Sequence, residues 1–418
     1  MNGKEILVYA DTWEMPSPLL LGILTATQVR GKEVFAFEYS ADWLKYTKAF
    51  PIDPELQLYS GRHFTHGEKV TFGIFTDSAP DRWGRTLMDR RASIKARISN
   101  EPLPRLLESD YLLGVYDGHR MGALRFKLEG SGPFLNDDKT LSAPPFSSLR
   151  ELEVAAENVE LDADESDNER LKWINMLMAP GSSLGGARPK ASVVDPNGNL
   201  WIAKFPSKND GYDVEAWEMV VHMLAKNAGL NVAESRAQKF ASKRYTFLTK
   251  RFDRASDGRI HFASAMTLLG YSDGTDASMG ANYLELAEFI IKNGINPDAD
   301  LRELWTRIVF SICVKNTDDH LRNHGFLLQK RGWALSPAYD ITPNPKGTCL
   351  TLNINESDNS LSLDLARSVA EYFRVENDDA KNIINSIKNV VSNWGKYASE
   401  MKISRSEQEY YSNAFIAK

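Results

Sequence analysis

Hydrophobic and polar positions alternate in the first part of the chain over segments that are short enough to be strands. Residues 5–10 and 33–39 are rich in β-branched and aromatic side chains, and residues 120–128 alternate in the same way. These three segments predict β-strands, and residues 43–50 predict a short amphipathic turn or helix. The first part of the chain should therefore mix strands with short helical segments.

Residues 81–97 form a longer segment in which apolar residues recur with the periodicity of a helix. It places Trp83, Leu87 and Met88 on one side of the predicted helix. The sequence Ser78-Ala79-Pro80-Asp81 provides a suitable start for it, because serine and aspartate are favoured at helix N-termini. We therefore predict an amphipathic helix that begins close to this sequence.

The composition changes at residues 129–147, where glycine and proline cluster with serine, asparagine and aspartate. Such a cluster predicts a linker. A helical stretch at 148–178 follows, and the acidic run from Asp162 to Glu169 should interrupt it as a solvated loop.

The middle of the chain is rich in predicted strands. Residues 191–195 and 200–205 predict two strands, and Pro196-Asn197-Gly198-Asn199 between them predicts a hairpin turn. A helix is expected at 213–228. The remaining predicted elements are strands near 236–240 and 245–252, and mostly helical structure from residue 283 onward with one interruption at 316–356.

Composition and charge narrow the class of protein. The chain has 418 residues, of which 42% are apolar and 25% charged, as in a soluble globular protein of two to four domains. The net charge of -6 argues against DNA or RNA binding by the chain itself. Two cysteines, Cys313 and Cys349, exclude a disulfide framework and a four-cysteine zinc site, and they indicate a reducing cytoplasm. The longest apolar run, Pro18–Val29, is broken by glycine and threonine, so no transmembrane helix is expected, and the apolar start of the chain is too short for a signal peptide.

A loop rich in serine and glycine, Ser182–Ser192, runs into the first strand of the predicted hairpin. Glycine allows backbone N–H groups to approach phosphates closely. The loop is not a Walker A motif, because Lys190 lacks the preceding glycine and a strand follows where a helix is required. On this motif alone, a phosphate-binding loop and an ordinary surface turn both remain open.

Lys204 ends the second strand of the hairpin. A buried lysine needs an anionic partner, which could be a nucleotide phosphate or a glutamate on a neighbouring helix. Glu215 and Glu218 lie on the helix that follows, and the sequence does not decide between them. A solvated lysine at a strand end is the alternative.

The most informative segment is Val314–Phe326, which is almost entirely polar between apolar elements. Asp318, then Asn323 five residues later, then Asp340 after a predicted β-hairpin match the residues that kinases use for phosphoryl transfer. The alternative is the start of a helix with Asp318 or Asp319 as its N-cap.

A zinc site is a further interpretation of this segment. His320 and His324 would lie on one face of a helix, with Asp318 as a third ligand. The glutamate of an HExxH motif is absent, since residue 321 is leucine, and Gly325 indicates the end of any helix. The pattern therefore favours the kinase interpretation over zinc.

Taken together, these residues resemble the HipA family of bacterial type II toxin–antitoxin serine/threonine kinases. The resemblance extends from about residue 5 to 395, with the motifs in the family's order. The segments that carry it are Ser183–Lys190, Ala203–Pro206, Lys250–Arg254, Asn316–Asn323 and Pro337–Asp340, with Phe72–Gly84 resembling the N-terminal region of full-length members.

The resemblance implies an α+β, bilobal protein-kinase-like fold with a β-rich N-lobe, an all-helical C-lobe and an appended N-terminal α+β subdomain. The corresponding domains would be residues 1–130 for the HipA-type subdomain, 131–260 for the kinase N-lobe with its phosphate loop, and 261–418 for the helical C-lobe with the catalytic loop.

The resemblance also implies roles for individual residues. Asp318 is the expected catalytic base, Asn323 and Asp340 are the expected Mg²⁺ ligands, and Lys204 is the lysine expected on the ATP phosphates. Other residues expected around the nucleotide are Ser183, Gly185, Gly186, Ala187, Lys190, Lys250, Arg251, Phe252, His320 and Tyr339.

The function implied is that of an ATP- and Mg²⁺-dependent serine/threonine kinase toxin, which phosphorylates a cytoplasmic protein and itself. Ser183 falls where the family carries an autophosphorylated serine, and Ser182 competes for that role. The implied partner is a HipB-like helix-turn-helix antitoxin. The chain would contact DNA only indirectly, through this antitoxin. Two alternatives stay open: a catalytically silent module that only docks such an antitoxin, and a kinase of small molecules.

Overall fold

The computed structural model describes residues 3–67, 69–161, 165–178, 186–255, 258–330 and 332–416. These residues form two compact units. The first unit runs to Lys208 and includes Asp253–Ser272, and the second consists of Asn209–Phe252 and the chain from Asp273 onward. The boundaries differ from those of the three domains expected from the sequence, because a later segment packs with the first unit. The three-domain division stays a prediction.

The first unit combines an antiparallel sheet with helices and a separate hairpin. Its strands are β1 (Lys4–Ala10), β2 (Leu19–Val29), β3 (Lys32–Tyr39), β4 (Arg62–Phe64), β5 (Leu124–Lys127), β6 (Lys190–Val194), β7 (Leu200–Lys204), β10 (Arg254–Ala255), β11 (Gly258–Arg259) and β12 (Phe262–Ser264). Its helices are α1 (Ala41–Lys45), α2 (Gly73–Ser78), α3 (Arg82–Ser99), α4 (Glu108–Gly114), α5 (Leu149–Leu161), α6 (Asp167–Leu177) and α8 (Ala265–Leu268).

The sheet has the strand order β4-β3-β2-β1-β5, with every neighbouring pair antiparallel. β1 and β3 confirm the strands predicted at 5–10 and 33–39, and β5 confirms only the second half of the strand predicted at 120–128. The central strand β2 has no counterpart among the predicted strands, because its glycine and threonines interrupt the apolar pattern. Gly22 is required there, since a Cβ would lie 2.3 Å from the carbonyl oxygen of Glu38 on β3.

Helix α3 confirms the helix predicted at 81–97. Asp81 caps its N-terminus, where Oδ1 accepts a hydrogen bond of 2.8 Å from the N–H of Gly84. The side that carries Trp83 and Leu87 is buried, as the sequence pattern predicts.

Residues 129–147 are not a linker. Leu141 is fully buried, and Leu135 forms a β-bridge with Phe126 of β5. The carbonyl of Leu135 also accepts a hydrogen bond of 3.0 Å from the buried guanidinium of Arg120. The prediction was wrong because glycine and proline mark turns, and turns can be packed as well as mobile.

The helical stretch predicted at 148–178 consists of α5 and α6. The acidic loop predicted at 162–169 ends earlier than expected, because the Ser166 hydroxyl accepts a hydrogen bond from the N–H of Glu169 and caps α6. Acidic residues in the first turn of a helix are stabilised by its dipole. Residues 162–164 lie outside the described part of the chain.

β6 and β7 form the predicted hairpin around Pro196–Asn199. Asp195 Oδ1 accepts hydrogen bonds from the N–H groups of Asn197 and Asn199, at 2.9 and 2.8 Å, and so closes the turn. The register places Lys190 directly opposite Lys204. These two lysines therefore lie on the same face, at the end of the hairpin nearest the Ser/Gly-rich loop.

The second unit is mainly helical. Its helices are α7 (Val214–Asn227), α9 (Tyr283–Asn293), α10 (Pro297–Cys313), α11 (Leu363–Ser368), α12 (Asn377–Val391), α13 (Trp394–Glu400) and α14 (Arg405–Tyr411), and its strands are β8 (Ser235–Gln238), β9 (Thr246–Lys250), β13 (Gly325–Gln329) and β14 (Gly332–Leu335).

These elements confirm the helix predicted at 213–228, the strands near 236–240 and 245–252, and the hairpin before Asp340. The expectation that residues 261–418 are all-helical is wrong, because β13 and β14 pair as antiparallel strands. Within the described residues, the helices are all too short or too polar to cross a membrane.

Candidate active site

The candidate catalytic loop, Asn316–Asn323, begins where helix α10 ends. The N–H of Lys315 donates to the carbonyl of Ile312 (3.2 Å) and the N–H of Asn316 to that of Ser311 (2.8 Å), which is the bonding pattern of a Schellman motif. Lys315 has the left-handed conformation that closes such a motif, with φ 46°. The chain therefore turns away from the helix axis at this point and continues as a loop.

The side chain of Asn316 joins this loop to the segment that follows β14. Asn316 is 1% exposed, and its Oδ1 accepts a hydrogen bond of 3.2 Å from the N–H of Thr342. The N–H of Asn344 donates to the carbonyl of Lys315 over 3.0 Å. These bonds hold the segment that contains Asp340 against the candidate catalytic loop.

Asp318 and Asn323 are connected across one turn of the loop. Asn323 Nδ2 donates to the carbonyl of Asp318 over 2.9 Å, and the N–H of Asn323 donates to the carbonyl of His320 over 2.8 Å. Asn323 is buried, and none of the described residues donates a hydrogen bond to its Oδ1. A buried amide oxygen without a donor is suited to a hard cation such as Mg²⁺, so this side chain fits the predicted metal.

Asp340 is placed by its neighbour Tyr339. The hydroxyl of Tyr339 donates to the carbonyl of Arg322 over 2.7 Å, next to Asn323 in the chain. Asp340 itself has a left-handed backbone with φ 58°, which is uncommon for a residue other than glycine. Such conformations persist where the surrounding structure holds them, and they cluster at functional sites.

Asp318 is the solvent-exposed acid of this group. Partial burial of its carboxylate raises the pKa of Asp318 above its ordinary value, His320 opposes this shift, and the carboxylates of Asp340 and Asp319 add to it. A carboxylate with a raised pKa is a stronger proton acceptor, as a general base requires. Asp318 is therefore both accessible and electrostatically suited to accept a proton.

Asp319, the buried neighbour of Asp318, belongs to a separate hydrogen-bond network. The Tyr283 hydroxyl donates to Asp319 Oδ2 over 2.6 Å, Ser311 Oγ lies 3.4 Å from the same oxygen, and His324 Nε2 lies 3.1 Å from Oδ1. Burial alone would raise the pKa of Asp319, but its interactions with His324 and Tyr283 lower the pKa below its ordinary value. The network ties helices α9 and α10 to the loop.

Sequence analysis did not predict this network. Two adjacent acids were a local signal that one could be catalytic and the other structural, but Tyr283 is 36 residues from Asp319 and no local pattern connects them. His324 had been considered only as a zinc ligand.

Two alternative interpretations of this segment are wrong. The residue before the short 3-10 turn at Leu321–Asn323 is His320, and no side chain caps that turn, so neither Asp318 nor Asp319 is an N-cap. The zinc interpretation requires His320 and His324 on one helix face. The turn lies between them and ends before His324, so they do not share a helix.

Comparison with known protein families identifies the chain. The family model described as HipA-like C-terminal domain matches residues 182–394, which is just over half of the chain. The chain belongs to the HipA family. The model described as HipA N-terminal domain also matches, over residues 19–109.

Individual relatives agree with this assignment. A Haemophilus influenzae protein named "Putative kinase" is 28% identical over 189 residues, which cover 40% of this chain and 54% of that protein. Toxin YjjJ of Escherichia coli K12 is 24% identical over 175 residues, 39% of this chain and 38% of that protein. The matches thus span about half or less of these relatives.

A solved structure shows the same fold over most of the chain. It is a chain of the Shewanella oneidensis MR-1 toxin–antitoxin complex of HipA, HipB and operator DNA, with a TM-score of 0.65 and 17% identity, covering 95% of this chain and 93% of that one. The α+β, kinase-like fold expected from the sequence is therefore confirmed.

Some of the residues predicted to surround the nucleotide lie in the first unit. Gly186 and Ala187 are exposed, and Lys204 is half-buried. Lys190 is instead buried and paired with Asp81, at 2.7 Å. Ser182, Ser183 and Gly185 lie outside the described residues.

Lys250, Arg251 and Phe252, which are among the residues expected around the nucleotide, lie at the end of β9. The N–H of Lys250 donates to the carbonyl of Glu234 over 2.8 Å, and its Nζ lies 3.5 Å from the Glu234 carboxylate. Arg251 is buried, and the ring of Phe252 lies 5.5 Å from that of Tyr339. Phe252 and Tyr339 thus form one aromatic surface within the second unit.

The two glutamates considered as partners of Lys204 are both on helix α7. Glu215 is 1% exposed and Glu218 is 4% exposed, so burial does not distinguish them. The pairing of Lys204 stays a prediction, as do the roles of the other nucleotide-site residues.

Proposed function

We propose that this chain is an ATP- and Mg²⁺-dependent serine/threonine protein kinase that acts as the toxin of a type II toxin–antitoxin system. The observation that carries the proposal is the cluster of Asp318, Asn323 and Asp340, which is held together by backbone and side-chain bonds within the second unit. Membership of the HipA family supports the same function. The kinase would phosphorylate a protein in the cytoplasm, and also itself.

In the proposed reaction a serine or threonine hydroxyl attacks the γ-phosphorus of ATP, the bond to the β-phosphate oxygen breaks, and ADP leaves. Asp318 accepts the proton of the attacking hydroxyl. Its exposed carboxylate and its raised pKa support this role. Since phosphoryl transfer asks little covalent chemistry of the protein, the other residues would act mainly by positioning and charge.

Asn323 and Asp340 would hold Mg²⁺, as the unpartnered Oδ1 of Asn323 supports. When bound, the metal neutralises negative charge on the phosphates. Lys204 would contact those phosphates, and His320 would support the nucleotide or metal site. The remaining contacts to the nucleotide would come from Gly185, Gly186, Ala187, Lys250, Arg251, Phe252 and Tyr339.

We further propose a HipB-like helix-turn-helix antitoxin as the partner. The structural relative was solved with HipB and operator DNA, which supports this choice. The net charge of -6 disfavours direct contact of this chain with DNA phosphates, so the antitoxin would be the component that binds DNA.

The test is transfer of label from [γ-³²P]ATP in the presence of Mg²⁺, with a bacterial lysate as the source of substrates. Asp318→Asn removes the proton acceptor and keeps the side-chain shape, so we expect activity to fall by about 10²- to 10⁴-fold while ATP still binds. Asp379→Asn is the matched control, because that aspartate forms an exposed ion pair with Arg302 on the surface of the same unit. Full activity in the Asp318 variant would refute the assignment of the base.

The outcomes of this assay also separate the alternatives. Label on a protein band supports a protein kinase, and label found only on small molecules supports a small-molecule kinase. No label at all, with an antitoxin still bound, would make the chain a silent docking module.

Autophosphorylation is predicted at Ser183, in the Ser/Gly-rich loop. A phosphate there would add about -1.5 to -2 charges and repel the phosphates of ATP, so it would switch the kinase off. Mass spectrometry after incubation with Mg-ATP tests this, with Ser182→Ala and Ser183→Ala separating the two candidates. Absence of a phosphate on both serines, or normal ATP binding by the phosphorylated form, would refute it.

A further inference from the structure

Lys190 begins strand β6, at the point where the Ser/Gly-rich segment Ser182–Ser192 changes from loop to strand, and three contacts converge on it. Its Nζ lies 2.7 Å from Asp81 Oδ2, with the two side chains only 4% and 1% exposed. The same Nζ lies 3.4 Å from the carbonyl oxygen of Gly186, near the end of the loop. The indole N–H of Trp83 donates to the carbonyl of Lys190 over 3.1 Å. One lysine therefore connects helix α3, strand β6 and the loop.

Asp81 divides its two carboxylate oxygens between two partners. Oδ1 accepts the hydrogen bond from Gly84 that caps helix α3, and Oδ2 accepts the hydrogen bond from Lys190. The carboxylate thus fixes both the start of the helix and the position of Lys190. A buried ion pair contributes little net stability, because removing two charges from water is costly, so a specific arrangement is the better explanation for it.

Gly186 is adapted to the same contact. Its backbone has φ 104°, and a Cβ at this position would lie 3.1 Å from Lys190 Nζ. Glycine therefore permits the left-handed backbone and leaves room for the ammonium group. The end of the loop and the lysine are fitted to each other.

Lys190 and Lys204 face each other across the hairpin, and Asp81 pairs with Lys190. The two residues are directly opposite each other on β6 and β7, where like charges destabilise a strand pair. Asp81 neutralises Lys190 at 2.7 Å, which removes this repulsion. The neutralised pair offers little attraction to an ATP phosphate, so Lys190 is poorly suited to the phosphate contact expected from the sequence.

We propose that the buried Asp81–Lys190 ion pair is a latch through which helix α3 fixes the end of the phosphate loop, so that Asp81 and Lys190 position the loop without contacting the nucleotide. The proposal rests on the proposed kinase function, because the loop matters only if ATP binds there. It gives the segment Phe72–Gly84, which the catalytic site does not otherwise use, a role in nucleotide binding.

Two single variants of the full chain test the latch. Asp81→Asn keeps an oxygen for the α3 cap and removes the charge, and Lys190→Met removes the ammonium and keeps the length of the side chain. We expect both to raise the KM for ATP about tenfold or more with kcat within about threefold of wild type. The matched control is Asp167→Asn, which removes the exposed ion pair with Arg97 at the other end of the same helix.

The direction of these effects separates a latch from a phosphate contact. If Lys190 bound phosphate directly, Asp81→Asn would release its charge and lower the KM, while Lys190→Met would raise it. A latch requires both variants to raise it. Lys190→Arg keeps a cation for Asp81 and should restore at least part of the affinity.

A measurement without nucleotide tests the latch independently of the proposed kinase function. Hydrogen exchange of the amides in residues 186–194 should be at least about tenfold faster in both variants than in wild type or the Asp167→Asn control. Failure of wild type to bind ATP, with the exchange result as expected, would refute the kinase function and leave the physical latch. Unchanged exchange and unchanged KM in both variants would overturn the latch, even if their stability fell.

A double variant covers the case in which a single variant does not fold. Asp81→Asn combined with Lys190→Met leaves no unpaired buried charge, so it avoids the main cost of the single changes. It should fold and still show the raised KM and the faster exchange. Wild-type values in a folded double variant would overturn the proposal.

Discussion

Replacing Tyr283 with phenylalanine removes one hydroxyl from the interior of the second unit and should weaken both the fold and the candidate catalytic loop. Tyr283 is fully buried, and its hydroxyl donates the shortest of the hydrogen bonds to Asp319, at 2.6 Å. The ring remains in Tyr283→Phe, so packing is kept and the lost hydrogen bond is the main change.

The size of the effect follows from the charge of the acceptor. A hydrogen bond to a charged group contributes roughly 1.5–3 kcal/mol, against about 1 kcal/mol for a neutral pair. Asp319 keeps the longer contacts to Ser311 and His324, at 3.4 and 3.1 Å. We therefore expect the free energy of unfolding to fall by about 2 kcal/mol. Because Asp318 immediately precedes Asp319 in the chain, a shift of Asp319 should also lower kcat about tenfold or more.

Urea unfolding measures the first effect, and phosphoryl transfer at saturating Mg-ATP measures the second. Tyr372→Phe is the matched control, since Tyr372 is 52% exposed in the same unit. In an Asp319→Asn background the acceptor is neutral, so Tyr283→Phe should cost only about 1 kcal/mol. A loss of less than about 0.5 kcal/mol in the wild-type background would show that the network does not hold the loop.

Two further predictions concern the metal site and the pH dependence of stability. Asp340→Asn removes the negative charge but keeps a residue that tolerates the left-handed backbone. Calorimetry should show that the affinity for Mg-ATP falls about tenfold or more, and an unchanged affinity would contradict a metal-ligand role. Burial lowers the pKa of His261 from 6.5 to about 4. The contribution of this shift to the free energy of unfolding is therefore complete above pH 6.5 and is lost as the pH falls towards 4. The total loss is on the order of 3 kcal/mol. His261→Leu should flatten this part of the stability–pH curve in urea unfolding, and an equally steep curve in the His261 variant would refute the assignment.

Local signals in the sequence were enough to predict several elements and the centre of the site. The start of α3 at Asp81 follows from a capping residue next to an amphipathic period, and the β6–β7 hairpin follows from its turn residues. The cluster of Asp318, Asn323 and Asp340 was predicted because the order and spacing of these residues match those that kinases use for phosphoryl transfer. For the helix start and the hairpin, the physical cause lies within about ten residues of the chain.

Features that depend on distant contacts could not be predicted in this way. The strand β2 contains Gly22 because of the close approach of Glu38 on a neighbouring strand. The pairing of Lys190 with Asp81 could not be predicted either, because Asp81 is 109 residues earlier in the chain. Sequence shows which groups can carry charge, whereas the fold decides which of those charges are already neutralised.

Strain and hydrogen bonding together explain how the candidate catalytic loop keeps its shape. Lys315 and Asp340 both have left-handed backbones, and such conformations cost on the order of 1 kcal/mol or more each in residues other than glycine. Lys315 offsets its cost by closing the Schellman motif at the end of α10, which satisfies two helix carbonyls. Asp340 is held between Tyr339, whose hydroxyl bonds the Arg322 carbonyl, and Thr342, whose N–H bonds Asn316.

These offsetting bonds are all made by the protein itself. The backbone on both sides of Asp340 is therefore held against the loop by contacts that do not depend on a ligand, and Asn323 is held likewise by the bond from its Nδ2 to the Asp318 carbonyl. Positioning supplies a large part of the rate in phosphoryl transfer, and reactive groups that are already in place need little rearrangement when substrate arrives. Asp318 differs from Asn323 in being exposed, as the proposed proton acceptor would have to be in order to reach a substrate hydroxyl.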